Sequence, residues 1–83
     1  MNVTDCIGRY IRESLVTDVR DEDDIFDLGF ANSLFALQLL LFVEQSFSIE
    51  VQRSELDIKN FSSIAALSAF VTAKLSAAAA NAN

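Results

Sequence analysis

Among its 83 residues the chain has no His, no Pro and no Trp, a single Cys, two Gly, and six Lys plus Arg against twelve Asp plus Glu. Each shortage excludes something. Without His there is no side chain whose ordinary pKa suits proton transfer near neutrality, and Ser-His-Asp, Cys-His and imidazole-metal arrangements are all ruled out. A conventional hydrolase is not expected, and the chain reads as non-catalytic. Cys6 by itself makes neither an internal disulfide nor a thiolate zinc site, the pattern of a reducing cytoplasm. The net charge of −6 argues against nucleic acid and anionic membranes, which select basic clusters, and favours an electropositive protein partner. The longest apolar stretch, 34–43, is broken by Gln38 and falls well short of the ~20 residues that span a bilayer. Asp5, Arg9, Arg12 and Glu13 interrupt the start, where a secretory signal needs an unbroken apolar run. A soluble cytoplasmic protein is expected.

A chain of this length makes one domain and buries only ~60% of its unfolded surface, a demand that 52% hydrophobic residues can meet. The first helix is expected to follow Thr4 as N-cap, with Ile7, Ile11 and Leu15 four apart, Val3 and Tyr10 beside them, and Arg9, Arg12 and Glu13 facing away. From Thr17 to Ala31 the periodicity dissolves into an acidic connection, pinned by Ile25, Phe26, Leu28 and Phe30 and punctuated by Gly29. A loop this long usually has a function. It is not an EF-hand: with Asp21 as the first calcium position, Ile25 and Phe26 would stand at the fifth and sixth, the latter reserved for Gly. The loop holds six acids against Arg20, a net −5, and leaves the other 68 residues at −1.

The second helix is expected from about Ser33 to Ser46. On a helical wheel Ala36, Leu39, Leu40 and Val43 form the core face, Phe35 and Phe42 fall opposite with Gln38, Gln45 and Ser46, and Leu34, Leu37 and Leu41 lie on the flank. Two readings stay open: a helix buried all round, or an apolar contact patch of Phe35, Leu41 and Phe42. Phe47, Ile49 and Val51 alternate with polar residues, but no second strand is available, so an extended linker is expected. Residues 54–59 are expected to form one short helical turn with Leu56 and Ile58, and the last helix to follow Ser63 with Ile64, Leu67, Phe70, Val71 and Leu75 at helical spacing. Ala65, Ala66, Ala69 and Ala73 permit close approach to a neighbour. After Leu75 the sequence becomes SAAAANAN, so a domain over 1–75 and a frayed or disordered tail over 76–83 are expected. The fold class is all-α: a four-helix bundle of three main helices and a short third one, with a long loop between helices I and II.

That loop delivers the chain to Asn32-Ser33-Leu34. Together with Asp27-Leu28-Gly29 before it, Val43-Glu44-Gln45-Ser46-Phe47 and Ile49-Glu50-Val51 after it, and Phe61-Ser62-Ser63-Ile64 near the end, this order and spacing resembles the acyl and peptidyl carrier proteins. Their prosthetic-group serine sits in an Asp-Ser-Leu motif opening helix II. The resemblance covers about 7–75 and implies that Ser33 carries covalent 4′-phosphopantetheine, whose thiol holds an acyl group as a thioester. Neither His nor a reactive Cys is then needed, because the thiol arrives with the group and the bases belong to partner enzymes. Independently of any family, a phosphodiester on Ser33 would lie by the free N–H groups of a helix start, where an anion gains ~0.3–1 kcal/mol. Asn32 remains a strong cap once the Ser33 hydroxyl is esterified. An isolated Ser before Leu would read only as an N-cap.

The implied partners are a phosphopantetheinyl transferase, an acyl-loading enzyme and a downstream dehydrogenase, synthase or acyltransferase, with the carrier itself a monomer. Asn32, Leu34, Phe35, Leu41, Phe42 and Phe61 are the expected partner and arm contacts. Two departures narrow the match: Asn32 replaces the usual Asp, and helix II bears apolar residues where fatty-acid carriers are acidic, leaving only Glu44. The strings over 32–39 and 56–61 look most like free-standing carriers of unusual polyketide extender units of methoxymalonyl or hydroxymalonyl type. Discrete aminoacyl, D-alanyl or peptidyl carriers share the architecture. A third reading is a helical interaction module that docks through Phe35 and Phe42 with Ser33 purely structural.

Overall fold

The computed structural model describes residues 2–29 and 32–80. Three α-helices, α1 (Val3–Leu15), α2 (Ser33–Phe47) and α3 (Ile64–Ala80), form a small helical bundle, with 3₁₀ turns at Arg53–Glu55 and Ile58–Asn60 and no strand among the described residues. No described helix is long and apolar enough to cross a membrane.

α1 starts two residues earlier than its Thr4 suggested. Asn2 is the cap: its Oδ1 accepts from the Asp5 N–H at 3.2 Å and its backbone oxygen from Cys6 N at 3.0 Å. The helix ends at Val16, which takes the left-handed conformation (φ 52°, ψ 45°) with its side chain in solvent. A β-branched residue holds that conformation at a cost of about 1–2 kcal/mol, since the position favours Gly. On the inner face, Ile7 and Ile11 are fully buried as their spacing predicts.

The acidic loop is built into the core rather than draped over it. Val19 and Ile25 are buried, Ile25 N donates to Ser62 O (2.8 Å), and Ala65 N donates to Asp21 O (2.8 Å), which satisfies an end group of α3. Arg12 ties the loop to α1 through Nε to Val19 O (2.8 Å) and Nη2 to Asp21 Oδ1 (3.0 Å). Gly8 leaves room for that guanidinium, because a methyl there would come within 2.8 Å of Arg12 Nη1. Asp24 Oδ1 then accepts from Phe26 N and Asp27 N to fold the next turn, which Gly29 closes at φ +80°. Of the expected pins, Ile25 is buried and Phe26 half-buried, whereas Leu28 is exposed, and Phe30 lies outside the described residues.

α2 settles between the two readings of its wheel. Phe35, Leu39 and Val43, spaced by four, are its buried face, so the core side is rotated by about half of one residue's 100° step from the predicted one. Phe35 is 8% exposed and is not a contact residue, and Phe42 is half-buried with its ring stacked on Tyr10 at 3.9 Å between centroids. The helix was apolar on every side, so only the positions of α1 and α3 could orient it. Leu34, Leu37 and Leu41 are the residues left outside.

Beyond α2, Glu44 Oε2 accepts from Val51 N (3.0 Å) and holds the extended linker, with Phe47, Ile49 and Val51 half-buried. The single helical turn expected over 54–59 is two 3₁₀ turns instead, and Leu56 and Ile58 point outward. Ser63 caps α3 through its Oγ, which accepts from Ala66 N at 3.0 Å. Ile64, Leu67 and Val71 are buried. α3 continues through the start of the alanine-rich tail to Ala80, in keeping with alanine's helix propensity, and 81–83 lie outside the described residues.

Candidate functional site

Ser33 is the first residue of α2, and its neighbour does the capping. Asn32 is extended (φ −133°, ψ −174°), its Oδ1 accepts from Phe35 N at 3.1 Å, and its backbone oxygen accepts from Ala36 N at 3.0 Å. With the cap supplied by Asn32, the Ser33 hydroxyl is exposed and makes no hydrogen bond among the described residues. The N–H groups of Ser33 and Leu34 have no intrahelical acceptor, so the oxygen stands at the positive end of a fifteen-residue helix.

Beside it lies an apolar groove of about 260 Å³. One wall is the Ser33 face of α2, with Ala36, Leu37 and Leu40 one and two turns on; the other is Leu56, Asp57 and Ile58, with Phe61 alongside. Phe61 is 4% exposed and tilts against Phe70 (5.9 Å between centroids), so it is a fixed floor, whereas Leu37, Leu56 and Ile58 are each about half exposed. Asp57 is the one charged lining residue, and its Oδ1 is engaged by Lys59 N at 3.0 Å. The outer wall has no buried side chain between 52 and 60. Glu55 Oε1 fastens it to α3, accepting from Lys74 Nζ at 2.8 Å while also accepting from Gln52 N at 2.8 Å. The Lys74 hydrogen bond, then the Gln52 N–H and the Lys74 charge, hold the Glu55 carboxyl below the usual carboxylate range against a smaller opposing effect of desolvation.

Of the expected site residues, Ser33 and Phe61 meet at this groove, and Asn32 and Leu34 flank its start. Leu34, 64% exposed, faces solvent. Leu41 and Phe42 do not join them: they border a shallow uncharged cleft with Tyr10, Ser14, Gln38 and Gln45. Phe35 is in the core. The residues missed are Ala36, Leu37, Leu40, Leu56, Asp57 and Ile58. Leu37 and Leu40 could have been found, since they follow Ser33 by four and seven on one helix face. A larger hollow of about 460 Å³ between α1 and Phe42 is lined by Asp5, Cys6, Arg9, Tyr10 and Glu13. No group of three or more Cys, Asp and Glu side chains suited to a metal ion occurs among the described residues.

The arrangement offers one accessible primary alcohol at a helix start and an apolar trough leading away from it. That combination can hold a covalently attached anion and the flexible group that follows it. No protein-family model and no curated protein matches this chain.

Proposed function

We propose that the chain is an acyl carrier protein of the four-helix type, in which the two 3₁₀ turns take the place of the short helix III and Ser33 Oγ bears 4′-phosphopantetheine. The observation that carries this reading is the division of labour at the start of α2: Asn32 caps the helix, which leaves the Ser33 hydroxyl exposed and unengaged beside an apolar groove. The residues fit the group. Leu34 N–H and the helix dipole suit a phosphodiester, and Leu37, Leu40, Ile58 and Phe61 suit the aliphatic part of a pantetheine arm. Once attached, the group supplies a thiol that carries an acyl unit as a thioester; the chain itself positions the attachment point and performs no acyl chemistry.

In this reading the protein is a cytoplasmic monomer. A phosphopantetheinyl transferase loads Ser33, an acyl-loading enzyme charges the arm, and a dehydrogenase, synthase or acyltransferase receives the cargo. The extender-unit carriers of polyketide assembly remain the best match in motif. The partner contacts move from Phe35 and Phe42 to the exposed Leu34, Leu37 and Leu41. The interaction-module reading loses its Phe35 anchor to the core, while Phe42 is half-buried against Tyr10. Incubation with coenzyme A and a broad-specificity phosphopantetheinyl transferase is expected to add the mass of one phosphopantetheine to the wild type and nothing to Ser33→Ala. An unmodified, folded wild-type chain under conditions that load a control carrier overturns the proposal. Mass analysis of the loaded thioester from the native host then separates acyl from aminoacyl cargo.

A further inference from the structure

The groove beside Ser33 is small and closed at its floor. Its volume, about 260 Å³, falls below the ~300–1,000 Å³ that encloses a drug-sized ligand. Phe61, the floor, is 4% exposed and packed on Phe70, so a chain entering the groove meets a filled core rather than a channel.

The groove is also negative at one point. Asp57 is the single charged residue on its walls, and its Oδ1, accepting from Lys59 N at 3.0 Å, caps the second 3₁₀ turn. Asp57 Oδ2 accepts no hydrogen bond and pairs with no cation among the described residues. No Lys or Arg lines the groove, and Lys74 is taken by Glu55. One carboxylate oxygen is thus left open in an otherwise apolar trough.

On the carrier reading, we propose that this groove shelters a short acyl unit that ends in a hydrogen-bond donor, a hydroxyl or an ammonium, which Asp57 Oδ2 accepts. α2 rises only ~10 Å from Ser33 to Leu40, less than an extended arm, so Leu37, Leu40 and Ile58 meet the loaded end when it is folded back on them. A short unit fills what remains, and a long acyl chain finds no room. A carboxylate tip meets two like charges, Asp57 and the phosphodiester on Ser33, with no cation on the walls to offset them. A malonyl-type unit therefore rides outside the groove, open to the enzyme that takes it. An alkyl tip gains the apolar walls but no hydrogen bond, so the order of shelter is donor-tipped, then alkyl, then carboxylate.

The test loads the protein from synthetic coenzyme A thioesters with a broad-specificity phosphopantetheinyl transferase. Four three-carbon units differ only at the tip, 3-hydroxypropionyl, β-alanyl, propionyl and malonyl, and octanoyl tests length. Hydroxylamine cleavage of each thioester is measured relative to the same acyl-pantetheine in solution, alongside ¹⁵N amide shifts. On that scale a donor-tipped unit should be cleaved about fivefold more slowly than malonyl, the effect of one hydrogen bond at a half-exposed site. Its shifts from the unacylated holo protein should fall at Leu37, Leu56, Asp57 and Ile58. The slower of 3-hydroxypropionyl and β-alanyl names the donor, and octanoyl should be protected no more than propionyl. Asp57→Asn keeps a capping oxygen and offers N–H donors in place of the open one, so it should protect malonyl above 3-hydroxypropionyl. Malonyl protected as well as both donor-tipped units, octanoyl protected most with shifts reaching Leu39 and Leu67, or an unchanged order in Asp57→Asn would each overturn this inference and leave the carrier reading standing. A folded chain that accepts no phosphopantetheine overturns both.

Discussion

The frame that α1, the acidic loop and α3 build together differs from the strip that α2 and 52–60 build around Ser33. In the frame, Ile7, Ile11, Val19, Ile25, Ile64, Leu67 and Val71 are buried, each contributing roughly 1.5–3 kcal/mol. Backbone bonds from Ala65 to Asp21 and from Ile25 to Ser62 lock the loop to α3. Around Ser33 the balance reverses: Leu34, Leu37, Leu56 and Ile58 are half or more exposed, and the outer wall hangs on the Glu55–Lys74 pair and its two ends. The fold keeps its stability away from the candidate site and leaves apolar area uncovered there. Such a wall opens at lower free energy than the core, as a surface that must admit another group requires.

The sharpest way to break this contrast is to place the same charge on each side of α2. Phe35→Glu should destabilise the protein by at least about 3 kcal/mol in urea unfolding, because it removes a core ring and buries a carboxylate. Leu41→Glu should stay within about 0.5 kcal/mol of wild type. Equal effects would mean that α2 has no inner and outer face. Phe42→Ala comes next: loss of the half-buried ring and its stack on Tyr10 should cost about 1–2 kcal/mol by the same measurement. Within the frame, Val16→Gly should act in the opposite direction, raising stability by up to about 1 kcal/mol as left-handed strain is relieved without loss of burial.

The smallest effect is confined to the wall. Lys74→Met should speed amide hydrogen exchange over 53–61 while leaving the amides of Ile11 and Leu67 unchanged, and uniform acceleration would show that the wall is part of the core. The pH dependence carries a sign. Glu55 is held below the usual carboxylate range in the folded state, so the stabilisation it brings is present above that range and is lost as pH falls through its own lower one. Wild-type and Lys74→Met exchange rates at 53–61 should therefore converge on the acid side.

Much of this could be read from spacing, and where the reading failed the cause is specific. Ile7–Ile11 and Ile64–Leu67–Val71 alternate with polar or small residues, so one face alone could be buried, and it was. Ser33 stood out through the order and spacing of the motifs around it, since its local sequence alone would read only as an N-cap. α2 was different: with apolar residues all round, its wheel had several nearly equivalent orientations, and the one centred midway between Leu39 and Leu40 was chosen over the one centred on Leu39. Phe35 and Phe42 were misplaced for that reason alone. The cap of α1 failed for a local one, since Asn2 and Thr4 both suit the position and Asn2 lets the helix include Val3.

By itself the sequence determined the helices, the single acidic loop, the absence of imidazole chemistry and the serine at the start of α2. These depend on residue identity and on neighbours within a turn or two. Only the tertiary structure decided which side of α2 faces inward, that the wall over 52–60 stands across from Leu37 to form a groove, and that Asp21 O accepts from Ala65 N to close the acidic loop on α3. Those pairings join residues up to 44 positions apart, Asp21 and Ala65. No local periodicity encodes them; they are set by the way three helices share one small core.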